Sequence, residues 1–228
     1  VASMVAVRTE AWPDDDDDTV KVLFVVTSSG SPTAVEQARK ALMEEWGFVV
    51  TLINASASQS ALTAAAADAD VAYISDRLHG NDLNTKLRDA PIGVVNEDQD
   101  LYSDFGFSSS QKEFSNITKL DIVDNSHYVT SPFSTGDLTV YSSGQQLCGV
   151  YGTIALDLEV LAERTNSSSD VLTVLETGAE LCDGGTAAGR RVQLPWGTGS
   201  FDIDNLTEDG KTIMKRAIEW AASKEQPE

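Results

Sequence analysis

Residues 20–54, VKVLFVVTSSGSPTAVEQARKALMEEWGFVVTLIN, decide the fold. Val20 to Val26 is a near-continuous apolar run, the pattern of a strand buried on both faces. Thr27-Ser28-Ser29-Gly30 reads as a turn. Ser31 suits a helix N-cap and Pro32 the first helical position. Val35, Ala38, Leu42 and Trp46 then recur at helical spacing. Gly47 stops the helix, and Phe48 to Ile53 reads as a second strand. A buried strand, a helix and a second strand within 35 residues make a parallel unit, because a parallel partner needs a crossover of this length.

The pattern continues outward. A short helix is expected over Ser58–Ala67, a third strand over Val71–Ile74, a helical piece over Asn81–Leu87 and a fourth strand over Ile92–Val95. Such alternation points to a mostly parallel central sheet with helices on both faces, an α/β three-layer sandwich of flavodoxin-like type. The second half is less regular. Ile117–Val123, Leu138–Tyr141, Val171–Leu175 and Arg191–Leu194 read as strands. Gly149–Glu163 has mixed period and is expected to be strand in part. Thr207 caps a final helix through Ala222. Residues 1–19 look separate: an apolar stub, Val1 to Val7, then Trp12-Pro13 and the run Asp14–Asp18. We read them as an acidic tether, either a processed leader or anchor remnant or an assembly strand. Residues 20–228 read as one domain.

Composition narrows the classes. Against 36 Asp and Glu stand 16 Lys and Arg, a formal net charge of −20 over 228 residues. That field repels phosphate backbones, so nucleic acid is not an expected partner. It suits a salty medium, where screening over roughly 3–10 Å weakens self-repulsion. A halophilic or marine setting, extracellular or at the cell surface, is the expectation; the cytoplasm of a halophile is the alternative. No run of about 18 apolar residues is present to span a membrane.

Four stretches carry a family resemblance. The opening unit above is the first. The second is VAYISD (71–76) with LRDAPIGVVNEDQDLYSDFGF (87–107). The third is DIVDNSHYVTSPFSTGDLTVY (121–141), and the fourth RRVQLPWGTG (190–199) with TEDGKTIMKRAIEWAA (207–222). Together they resemble the class I glutamine amidotransferase-like superfamily, in particular its trehalose-utilisation (ThuA-like) branch. The third stretch is similar to that branch's Asp-x-x-His-Pro element, with Tyr128 in the place of Pro. The resemblance implies a nucleophilic Cys at the turn after the fourth strand and a His near the last strand. The turn here is Val95-Asn96-Glu97-Asp98-Gln99, and Leu194–Phe201 holds no His. Cysteine chemistry needs a thiolate beside a base, so the implied triad is missing.

Other groups remain as candidates. Glu97 and Asp98 are possible acid/base carboxylates or else the solvated start of a helix. His127, three residues after Asp124, is either their catalytic partner or a loop-fixing ring. Thr27–Thr33 resembles the phosphate loop of flavodoxins, with Pro32 in place of the last Thr. Ser28, Ser29, Gly30 and Ser31 are therefore candidate ligand-binding positions, with Asn96 and Tyr102 beside them, and FMN is the cofactor such a loop would hold. Cys148 and Cys182 allow one disulfide or two free thiols. Neither the cysteines nor the two histidines are spaced for a metal site. Asn54, Asn116, Asn166 and Asn205 head glycosylation sequons, Asn54 and Asn166 being the two expected at the surface.

Three functions follow as expectations. The first is a non-catalytic exported or surface domain that binds a protein or glycan partner. The second is a hydrolase using a carboxylate and His127 at the C-terminal edge of the sheet. The third is an FMN-binding electron carrier. Assembly through the Val1–Val7 stub is a further possibility, by strand addition to a neighbour.

Overall fold

A computed structural model describes residues 19–197, 199 and 201–224. The tether and its apolar stub lie outside these, apart from Thr19. The first half alternates as expected: β1 (Lys21–Val26), α1 (Ala34–Glu45), β2 (Val49–Asn54), α2 (Gln59–Ala67), β3 (Val71–Ile74), α3 (Gly80–Leu83) and β4 (Gly93–Asn96). The second half holds β5 (Ser108–Ile117), β6 (Lys119–Ile122), β7 (Gly136–Thr139), β8 (Gln145–Ile154), β9 (Glu159–Arg164), β10 (Asp170–Leu175), β11 (Arg191–Gln193) and α4 (Glu208–Ala221).

The protein is α/β, built on a large mixed sheet of nine strands in the order β2-β1-β3-β4-β11-β10-β9-β6-β7. From β2 to β11 neighbouring strands are parallel. From β11 to β7 every pairing is antiparallel. The sheet is thus parallel over one half only. The reason lies in the connections: no helix intervenes anywhere between β6 and β11, and connections without a helix serve antiparallel neighbours. β5 and β8 form a separate two-stranded antiparallel ribbon.

Alternation along β1 places Val22, Phe24 and Val26 in one apolar core and Leu23 and Val25 in another. Met43 of α1 and Ile213, Met214, Ala217 and Ile218 of α4 join the first. Leu62 and Ala66 of α2 and Leu83 of α3 join the second. Each such large side chain taken fully out of water contributes about 1.5–3 kcal/mol before entropy is counted.

Some local expectations are corrected. The N-cap of α1 is Thr33, where Ser31 was expected. Thr33 and Glu36 form a reciprocal capping box, and Pro32 stays outside the helix. α3 stops at Leu83, short of Leu87, because Asn84 turns left-handed at φ 47°. β5 was not foreseen, since in SSSQKEFSNI only Ser108 and Phe114 are buried.

Candidate functional site

β1, β3, β4 and β11 run parallel, so their C-terminal ends share one edge. Open α/β sheets place ligands in the crevice outside that edge, where the strand order changes direction. Here that point lies between β1 and β3, with α1 above it. The crevice is filled by the chain's own charged and aromatic groups.

Arg39 of α1 is wholly buried. Its Nη2 lies 2.7 Å from Asp76 Oδ1 and its Nε 3.0 Å from Glu97 Oε2. These are close ion contacts without aligned N–H···O geometry. Tyr73 of β3 donates its hydroxyl hydrogen to Glu97 Oε1, and Trp196 Nε1 donates to the same oxygen at 3.1 Å. Phe201 lies under the Arg39 guanidinium at 5.0 Å and stacks on Trp196, with centroids 5.9 Å apart. A Cβ on Gly197 would fall 1.1 Å from the Glu97 carbonyl oxygen, so only glycine lets this strand of chain cross so closely.

Burial governs the protonation of these groups. It pushes the Glu97 carboxyl up to about 7, although Arg39 pulls the other way. Asp76 is also raised, mainly by burial, against the pull of Arg39 and Arg77. Asp98 is raised to about 7 by burial, with Asp100, Asp76 and Glu97 adding repulsion. Asp98 Oδ1 accepts from the Asp100 amide at 2.8 Å, capping the 3-10 turn Gln99–Leu101, while its Oδ2 has no partner. The expectation of a solvated helix start for Glu97 and Asp98 is corrected by their burial: Glu97 is 0 % exposed and Asp98 2 %. Their pKa values are raised, as those of acid/base groups are, but they have no open face toward substrate.

The other candidates are placed as follows. Asn96 is buried on β4, where its Nδ2 donates to Gln193 Oε1 and the Asp98 carbonyl. Tyr102 is buried and pushed well above the usual phenol range by burial, so it is no open wall for a planar ligand. His127 is at the opposite end of the sheet. Its ring meets Trp220, near the C-terminus of α4, edge-on at 4.8 Å. The adjacent Ala221 carbonyl would lie 2.1 Å from a Cβ on Gly93, at the start of β4, whereas Glu97 follows the end of that strand. His127 Nδ1 accepts from the Val129 amide at 3.2 Å, which fixes the loop. Asp124 Oδ1 accepts from the Ser126 amide and hydroxyl, and these bonds, with a smaller pull from His127, hold its carboxyl below the usual carboxylate range. The pairing of His127 with Glu97 or Asp98 is thus corrected by topology.

The Ser28–Ser31 loop is held from within. The Ser29 amide donates to Asn54 Oδ1. Glu36 Oε1 accepts from the Thr27 amide at 3.0 Å, and Oε2 from the Thr33 amide at 2.8 Å and hydroxyl at 2.9 Å. A carboxylate of the chain occupies the helix start where a phosphate would dock. Asn54 is thereby engaged, and the two sequon asparagines that stand exposed are Asn116 and Asn166.

Cys148 and Cys182 are free thiols. Cys148 does reach the turn after β4, its Sγ 2.9 Å from Gln99 Oε1. Its neighbours there are carboxylates and burial pushes the thiol up, the reverse of a nucleophile's surroundings. Arg39 is a site residue that the sequence pattern does not single out. The signal was an Arg on the apolar side of an amphipathic helix. Among the described residues no group of three or more His, Cys, Asp or Glu is placed to hold a metal ion. No described helix is long and apolar enough to cross a membrane. No protein-family model and no curated protein matches this chain.

Proposed function

We propose that this chain is a non-catalytic binding domain, exported or displayed at a cell surface, that recognises a protein or glycan partner. One observation carries the reading: the acid/base groups at the C-terminal edge of the sheet are sealed under Trp196 and Phe201 and held by Arg39, Tyr73 and one another. A general acid or base must come within hydrogen-bond reach of a substrate, and Glu97 at 0 % exposure reaches only protein. In this reading the architecture is amidotransferase-like and three-layered in its parallel half, which the apolar cores on both faces of β1 support. The net charge of −20 supports a saline exterior.

The two other readings draw less support. A hydrolase built on His127 would need a ring and a carboxylate from opposite ends of β4 to meet. An FMN carrier would need Glu36 to leave the start of α1 for the phosphate. The test is to offer the full chain to glycan arrays and purified envelope fractions, with ester, amide and glycoside substrates in parallel. Saturable binding without turnover is expected. Sustained turnover of any substrate overturns the reading, as does failure to bind in both assays.

A further inference from the structure

We infer that the groove between the β5–β8 ribbon and the β9–β10 turn is a binding site for a neutral, flat-faced glycan chain. This deepens the binding reading above and rests on it. The groove has a volume of about 430 Å³, a size typical of small-ligand clefts. Its wall is Tyr151, which keeps 57 % of its surface open. Of the five large apolar residues that stand exposed among the described residues, Tyr151 and Ile154 line this groove, and Leu156 follows two residues after Ile154 in the chain.

The ring of Tyr151 is positioned by its neighbours. Lys112 Nζ lies 5.8 Å from its centroid and 5.7 Å from that of Phe114. The Arg164 guanidinium covers Phe114 at 4.9 Å. Gly152 takes φ +81°, a conformation that side chains disfavour, and a Cβ there would meet Ser109 Oγ at 2.5 Å. The β5–β8 ladder shifts register here, between the Ser110–Tyr151 and Ser108–Ile154 pairs, immediately after the aromatic ring. The opposite wall is polar: Ser168, Ser169 and Asp170 supply hydroxyls and a carboxylate.

That combination matches the chemistry of a pyranose. The C–H face of an equatorially linked sugar stacks on an open aromatic ring, and its hydroxyls need both donors and acceptors at the rim. Lys112 and the serines donate; Asp170 and the serines accept. The strongly acidic surface disfavours anionic polysaccharides, and the Lys112 ammonium beside the ring disfavours cationic ones, which leaves neutral chains. A folded protein partner would need roughly 800 Å² per side, more than a groove of this volume presents.

The test is calorimetric titration of the full chain with cellohexaose, chitohexaose and maltohexaose, in low salt and in 1 M NaCl. Saturable binding of a β-1,4-linked hexaose that persists in 1 M NaCl is expected. Tyr151→Ala should then weaken it at least about tenfold, the loss usual for an aromatic anchor. Lys112→Ala should weaken it severalfold, and Leu156→Ala should leave it unchanged. All three positions are exposed, so folding is not at stake. Undiminished binding by Tyr151→Ala overturns the groove and leaves the binding reading standing. So does failure to bind any hexaose, provided an envelope component is still bound. An envelope protein whose binding is lost in Leu156→Ala and kept in Tyr151→Ala likewise overturns the glycan assignment in favour of a protein surface.

Discussion

Asp98→Asn should make the protein less sensitive to pH. Asp98 is 2 % exposed, with Oδ1 capping the turn and Oδ2 facing no partner. Its carboxyl titrates near 7 in the folded chain against 3.8 when free. Below about pH 4 it is protonated in both states and contributes no pH dependence. Between the two values the folded state keeps a proton that the unfolded state has lost, so stability falls as pH rises. Above 7 both states are ionised and the loss is complete. From pH 5 to pH 8 the native carboxyl costs about 3 kcal/mol, two pH units at 1.4 kcal/mol each. Asparagine keeps the capping oxygen and does not titrate. Glu97, which also titrates near 7, is present in both proteins and cancels to first order. In urea titrations at pH 5 and pH 8 the wild type should lose about 3 kcal/mol more than Asp98→Asn, about 1 M in midpoint. Parallel losses in the two proteins would refute the reasoning, since Asp98 would then be ionised and solvated already at pH 5.

Arg39→Leu leaves Glu97 buried without its cation and Asp76 with Arg77 alone, and should destabilise by about 3–5 kcal/mol at pH 8. The carboxyls then rise further, so the loss should shrink at pH 5, where they bind protons in the folded state; thermal melts at the two pH values test this, and an equal loss at both would count against it. A thiol reagent should modify Cys182 in the native protein and reach Cys148 only after unfolding, because Cys182 is partly exposed and Cys148 is buried. No reaction in denaturant without reductant would show the two joined in a disulfide.

The sequence alone determined most of the parallel half. β3 lies where the apolar run VAYI placed it, and α4 starts after Thr207 as its capping residue implies. Such elements are legible because each buries a face with its own local period. β5 was not legible: its polar run becomes a strand only by pairing with β8, whose sequence lies beyond two intervening strands. The same divide runs through the site. Sequence singled out Glu97 and Asp98 at the turn after β4, and the absence of a thiol there. It placed them in solvent or in catalysis, because burial of a loop carboxylate leaves no periodic trace. Only the tertiary structure brought Arg39, Asp76, Tyr73, Trp196 and Phe201 onto Glu97, from segments up to about 160 residues apart. Only the tertiary structure sent His127 to the far end of the sheet. Local pattern records which residues leave water; which charges meet there depends on how strands are ordered across the sheet, and no short window of sequence carries that order.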